Sequence, residues 1–283
     1  MAVFLVIVIA IGYFISYYYD NLAILAVAIV FALAMNMTSY WYSDKISLSL
    51  ARAVQANRED NLELFQVIEN LSITAGLPMP KVYIIPDPAP NAFATGRDKN
   101  HASVAVTSGL LGMMDKNQLS GVIAHELSHI GNRDILLSTV VVVLVGFISI
   151  IAYIFTRSMW LGGGRRRGNG REGEAGAIIM IVGVIFVILS PIIAQLIQLA
   201  ISRRRESLAD ADGVLLTRYP EGLASALEKI EAYGRPMTTA NNATAHLYIS
   251  NPFGEGASKG IAKLFMTHPP TEERIKALRE MEG

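Results

Sequence analysis

The chain has no cysteine among its 283 residues. That excludes a disulfide framework and a thiolate metal site, and leaves histidine and carboxylate as the ligands for any transition metal. Histidine itself is sparse, five in all. Net charge is absent too: lysine plus arginine and aspartate plus glutamate number 24 each. The single strongly basic cluster, Arg165, Arg166 and Arg167, sits among glycines between two apolar runs. This is a loop composition, so no nucleic-acid partner is expected. Charged residues make up 17% of the chain and apolar ones 52%, enough for one soluble domain plus a substantial membrane-buried mass.

Four long apolar stretches carry that mass. Residues 2–19 and 22–42 are broken only by Asp20-Asn21, which reads as a tight turn between two spanning helices, and residues 135–155 and 177–201 form a second pair. At about 1.5 Å per residue, each approaches or exceeds the span of a hydrocarbon core of roughly 30 Å. A cleaved signal peptide describes the first stretch poorly, because it lacks a basic leader and another span follows at once. Flanking charges, among them Lys45, Arg52, Arg203, Arg204 and Arg205, place both termini and the polar segments in the cytoplasm. The basic loop around Arg165 argues the other way and leaves open a second hairpin too shallow to cross. The expected organisation is a transmembrane hairpin at 1–42, half of a polar domain at 43–134, a hydrophobic hairpin at 135–201 and the other half at 202–283.

In the first polar half, Leu62, Phe65, Ile68 and Leu71 give an apolar helical stripe that Gly76 and Pro78 end. Residues 81–85 read as a strand stopped by Pro86, Pro88 and Pro90. Residues 91–95 and 102–107 are two further strands around Gly96-Arg97-Asp98, which predicts a small antiparallel sheet. Asp115, with Gln118 three residues on, has the pattern of a capping box opening the next helix. On that helix lies His125-Glu126-Leu127-Ser128-His129. Two imidazoles four residues apart share one helix face and can grip one Zn²⁺, and Glu126 between them can take a proton from water.

Two imidazoles leave a tetrahedral catalytic zinc short of one protein ligand. Glu206 is the candidate, and Asp210, one turn further on the same face, can accept the remote N–H of a ligating histidine and fix its tautomer. The bland alternative is that both acids merely offset Arg203, Arg204 and Arg205. Glu206 and the histidines flank two hydrophobic stretches, an even number, so all three ligands can meet on one side. His101 and His246 are expected to be solvated and without a role. These features predict an α-helical membrane protein with an α+β zincin-like, gluzincin-type cytoplasmic protease domain.

At this point the chain resembles the HtpX family of membrane-bound zinc metalloproteases. The HELSH motif, the RESLADADG segment, the NAFATG segment at 91–96, the THPPTEER segment and the order of the four apolar stretches carry the resemblance. It implies His125, His129 and Glu206 as ligands of one zinc and Glu126 as general base. By likeness to CAAX-processing membrane proteases it implies His268 and Arg274 near the catalytic centre, where they could stabilise an oxyanion. It also implies that Asn91, Ala92, Phe93 and Ala94 form an edge strand on which an extended substrate lies. The implied activity is cleavage of internal peptide bonds in damaged or misfolded membrane proteins or unfolded polypeptides, by a multi-pass protein of the cytoplasmic membrane; oligomeric state is left open. The rivals are a CAAX-type prenyl-protein protease and a non-catalytic sensor or scaffold with structural zinc. A channel is disfavoured, since the apolar stretches carry no internal charge.

Overall fold

The computed structural model describes residues 2–143, 145, 202–254 and 270–281. It divides into two compact units, one holding residues 2–42, 143 and 145 and the other residues 43–142 with the described residues from 202 onward.

In the first unit, helix α1 (Ala2–Tyr18) and helix α2 (Leu22–Leu50) are joined by the expected polar turn. Asp20 adopts φ 47° there. The Ser16 hydroxyl donates to the Asn21 carbonyl at 2.9 Å, and Asn21 Oδ1 accepts from the Ala23 amide at 3.0 Å, satisfying an orphan donor at the start of α2. Gly12 of α1 faces Ala28 of α2, where a Cβ would come within 2.2 Å of the alanine methyl. Among the described residues, α2 is the one helix long and apolar enough to cross a membrane. It runs past the apolar stretch to Leu50 because no glycine or proline interrupts it.

The second unit begins with strand β1 (Val54–Gln55) and helix α3 (Leu62–Ala75). Leu64, Val67, Ile68 and Leu71 form the buried face of α3, while Leu62 is 56% exposed. The apolar stripe is therefore rotated from the expected one, since Leu62, in the first turn, faces solvent. Gly76, at φ 64°, ends the helix as expected, donating to the Ile73 carbonyl while Leu77 donates to Ser72.

Strands β2 (Lys81–Ile85), β3 (Ala92–Gly96) and β4 (Ala102–Thr107) complete a sheet of order β1-β2-β4-β3. The expectation of an antiparallel sheet is corrected: β1–β2 and β3–β4 are antiparallel, but β2 and β4 are parallel, so the sheet is mixed. The proline-rich segment after β2 carries the chain past the position of β4 instead of folding it into a hairpin, and β3 then returns on the far side of β4. Asp98 caps the short turn between β3 and β4 by accepting the amides of Asn100 and His101. His101 stays at the surface, as expected, against Asp98.

Helix α4 (Ser108–Met113) leads to α5 (Lys116–Gly131), which opens with the full capping box. Asp115 Oδ1 accepts from the amides of Asn117 and Gln118, and Gln118 Oε1 accepts from the Asp115 amide. From Gly121 to Ser128, α5 is buried. It packs against α3, β3, and the later helices α7 (Arg203–Thr217) and α8 (Pro220–Tyr233). After α5, Asn132 and Arg133 make a turn, with Arg133 in the left-handed region at φ 61°, and helix α6 (Asp134–Val143) begins. Beyond α6 and Val145, the second hydrophobic hairpin expected at 135–201 lies outside the described residues.

After α8 an irregular segment crosses to β3 and is fastened there. Asp87, buried beyond β2, accepts hydrogen bonds from the Thr238 hydroxyl and from the amide and hydroxyl of Thr239 at 2.8 to 3.0 Å. Tyr248 is fully buried and meets Phe93 edge-on, with ring centroids 5.1 Å apart. His246 is only 2% exposed, which corrects the expectation of a solvated residue. It lies between Ala245 and Leu247, and its Nε2 donates to the Ser138 carbonyl at 2.8 Å, so its polar atom finds a backbone partner inside. Helix α9 (Thr271–Glu280) closes the unit against α7 and α8.

Candidate metal centre

The helical repeat places His125 and His129 on one face of α5, and their Nε2 atoms are 3.2 Å apart. Glu206 enters from the first turn of α7, with Oε1 3.5 Å from His129 Nε2 and Oε2 3.7 Å from His125 Nε2. Tetrahedral coordination at roughly 2.0–2.1 Å separates ligand atoms by about 3.3–3.4 Å. One ligand atom from each of the three side chains lies within 4.8 Å of the others, close enough to share one small divalent cation. Two imidazoles and a carboxylate, with no thiolate, are the donor set of zinc and similar borderline metals.

Close helix packing brings Glu206 to this point. Glu206, Ala209, Asp210 and Gly213 form the buried face of α7, and Gly213 lies against the backbone of Ala124 and His125. On that face Asp210 Oδ1 is 2.8 Å from His125 Nδ1. His125 Nδ1 then carries the proton and donates it to Asp210, leaving the Nε2 lone pair for the centre. Arg274 holds Asp210 in place through two hydrogen bonds, Nε to Oδ2 at 2.9 Å and NH2 to Oδ1 at 2.7 Å. Its remaining NH1 group donates to the Ile249 carbonyl at 3.1 Å and lies 3.8 Å from Glu206 Oε2.

Burial and charge set the protonation of the cluster. Burial, reinforced by the Arg274 charge, presses His125 down to about 4 against the pull of Asp210. Burial also opposes a proton on His129, but Asp134, Glu206 and Glu126 outweigh it and raise that group to about 9. Asp210 is held far below the usual carboxylate range: burial works against its charge, while Arg274 and His125 more than offset it. Burial lifts Glu126 to about 7, with Glu206 adding to the rise and His129, a hydrogen bond from the Ala94 backbone and Arg274 opposing it. A carboxyl near neutrality beside a cation site is poised to exchange a proton. The cavity that Glu126 shares with the three ligands has about 20 Å³ of space, room for about one water molecule.

The expected residues are thus placed as follows. His125, His129 and Glu206 converge, Glu126 lines the same cavity, Asp210 backs His125, and Arg274 backs Asp210. His268 lies outside the described residues. Along β3, Ala94 reaches Glu126 and Phe93 packs on Tyr248, while the Ala92 carbonyl accepts the Ile249 amide at 3.0 Å. The Asn91 side chain is buried, donating to the Ser250 carbonyl at 2.9 Å and accepting from the Ser250 amide at 3.3 Å. Sequence reasoning missed Asp134, Arg205 and His246, which also stand at or beside the centre. Asp134 is five residues past His129, off the helical face, and nothing in its spacing points back to the metal.

A cation held by two imidazoles and a carboxylate, with an acid–base carboxyl alongside, defines a metallopeptidase centre. Residues 58–282 match the model of peptidase family M48. The chain is 49% identical over 279 residues to a "Protease HtpX homolog" of Thermoanaerobacter pseudethanolicus, covering 98% of this chain and 92% of that one. It is 48% identical over 271 residues to the "Protease HtpX homolog" of Thermococcus sibiricus, with 94% and 90% covered. The chain belongs to the HtpX proteases of peptidase family M48. Its fold is similar to that in the crystal structure of S. mikatae Ste24p, with a TM-score of 0.53 at 19% identity; the match covers 95% of this chain and 62% of that one.

Proposed function

We propose that this protein is a zinc endopeptidase that cleaves internal bonds of damaged or misfolded membrane proteins. The observation that carries the reading is the convergence of His125 Nε2, His129 Nε2 and Glu206 at 3.2 to 3.7 Å beside the buried Glu126. Three protein ligands, the number found among the described residues, are the mark of a catalytic zinc with one open position, whereas structural zinc is closed by four. When bound, zinc supplies Lewis acidity: it lowers the pKa of water toward about 7 and polarises a carbonyl oxygen.

Glu126 accepts a proton from the attacking water and returns it to the leaving amine. The Ala94 backbone hydrogen bond keeps its carboxylate turned toward β3. Asp210 keeps the His125 proton on Nδ1, and Arg274, besides fixing Asp210, adds positive charge 3.8 Å from Glu206. The oxyanion role is assigned to His268 by resemblance, with Arg274 contributing its charge. An extended substrate is assigned to β3, where the Ala92 carbonyl already accepts a backbone amide of the kind a peptide would offer.

A multi-pass arrangement with the catalytic unit on the cytoplasmic side rests on the four apolar stretches and the charges that flank them, with Leu22–Leu50 as a candidate span. The test is Glu126→Gln in the full chain, purified in detergent with zinc added. Zinc stays bound and cleavage of unfolded casein is abolished; retained turnover would remove Glu126 from the role of base. Assay of a prenylated peptide beside an unfolded membrane protein separates the CAAX-type alternative.

A further inference from the structure

The two metal-binding imidazoles are supported in parallel ways. His125 Nδ1 meets Asp210, which Arg274 holds. On the other side, His129 Nδ1 is 3.2 Å from Asp134 Oδ2, and Arg205 NH1 is 3.4 Å from Asp134 Oδ1. We infer that Asp134 is the positioning residue of His129 and that Arg205 holds Asp134, so a second Arg–Asp–His relay completes the centre. The inference rests on the metallopeptidase reading and assigns no contact with substrate to either residue.

The backbone is arranged to make this contact. A continuous α5 would carry a residue at 134 away from His129, because five residues make about one and a half helical turns. Instead the helix stops at Gly131, and Arg133 takes the left-handed conformation at φ 61°, one that side chains bearing a Cβ rarely adopt. Asn132 fastens the turn by donating to Asp212 of α7 at 2.8 Å. Asp134 is brought back within reach of His129 and is itself 9% exposed. Arg205 immediately precedes the ligand Glu206, so α7 delivers a metal ligand and the clamp on a neighbouring relay together.

The relay explains how His129 presents Nε2 to the metal. A carboxylate opposite Nδ1 makes Nδ1–H the donor and leaves the Nε2 lone pair facing the cation. The two relays differ in setting. The Asp210–Arg274 pair is sealed, with side chains 5% and 4% exposed, whereas those of Asp134 and Arg205 are 12% and 35% exposed. Salt therefore screens the second relay more than the first.

A rival role for Asp134 is that of an acid at the start of α6 with no part in metal binding. Zinc affinity of the purified full chain, measured by chelator competition in detergent, separates the two. Asp134→Ala is expected to weaken zinc about 10- to 100-fold. Asp134→Ser, which keeps a helix-capping oxygen but is too short to reach His129, falls as far, while Asp134→Asn, which keeps an acceptor oxygen, recovers part of the loss. Arg205→Ala weakens zinc by a smaller factor that shrinks as salt is raised. Wild-type affinity in Asp134→Ala or Asp134→Ser, or an Asn variant no better than Ala, overturns the inference. A wild-type chain that binds no zinc would instead overturn the metallopeptidase reading on which it stands.

Discussion

Gly213 of α7 lies so near His125 of α5 that a Cβ added there would come within 3.2 Å of the His125 amide nitrogen. This approach sets the distance between the helix that carries two ligands and the helix that carries the third. Gly213→Ala is expected to cost about 1 kcal/mol, and Gly213→Val up to about 3 kcal/mol, as α7 is pushed outward. Because Glu206 moves with α7, Gly213→Val should also lose zinc on dialysis. Metal content measured beside the unfolding midpoint checks both; full zinc retention in the valine variant would show that the contact does not set the ligand geometry.

Removing the metal should loosen the second unit. The ligands come from helices far apart in sequence, and a cation that binds only the folded arrangement stabilises it by about 4 kcal/mol when free metal is a thousand times Kd. Thermal unfolding in detergent should show a Tm that falls with a chelator and returns with added zinc.

Binding should also release a proton. His129 is raised to about 9 without metal and so is protonated at neutral pH, whereas a ligating imidazole must be neutral. The affinity for zinc should therefore increase with pH up to about 9. Calorimetry at pH 7 in buffers of different ionisation enthalpy should report about one proton released per metal; zero release would show that His129 is already neutral.

Asp87 fastens Thr238 and Thr239, and its titration should be visible in stability. Burial alone would raise its pKa, but hydrogen bonds from Ala89, Thr238 and Thr239 outweigh that and lower it. A carboxyl lowered in the folded state contributes stability above its unfolded value of about 3.9, and loses it as pH falls through the lower folded value. Asp87→Asn should cost about 1–3 kcal/mol at neutral pH. The gap to wild type should narrow as acid protonates Asp87, as measured by denaturant midpoints between about pH 6 and about pH 2.

Arg133 bears the conformational cost of the turn after α5. Arg133→Gly should stabilise the protein by up to about 1 kcal/mol, the gain being trimmed by greater freedom in the unfolded chain. Arg133→Val should destabilise it, because a β-branched side chain is a poor fit to φ 61°. The Tm difference between the two variants tests the assignment.

The parts of this fold legible in sequence are those whose information is local. The capping box at Asp115 and Gln118, the glycine stop at Gly76 and the Asp20-Asn21 turn each need only a few neighbouring residues. The His125 and His129 spacing is of the same kind. Glu206 and Asp210 were legible because one helix turn separates a ligand from its neighbour's support. The parallel pairing of β2 with β4 depends on where a proline-rich crossing takes the chain, and short-range patterns do not encode that. His246 gave no sign of burial, since its partner is the backbone carbonyl of Ser138, more than a hundred residues away. Asp134 was hidden by a left-handed turn at an arginine, a residue that carries no turn signal.

Carbonyls alternate in direction along a strand, and Asn91 turns its own toward Thr107 at the end of β4, so Ala92 points outward to the amide of Ile249. On the proposed reading, a polypeptide laid along β3 would have to enter at Ala92 by exchange, substituting its amide for the one Ile249 already supplies. A single swapped hydrogen bond gains almost nothing, because one of equal kind is surrendered. Net attraction would have to come from contacts made beyond that one exchanged bond. On that reading a folded neighbour, with its amides committed to its own helices, would have none to trade.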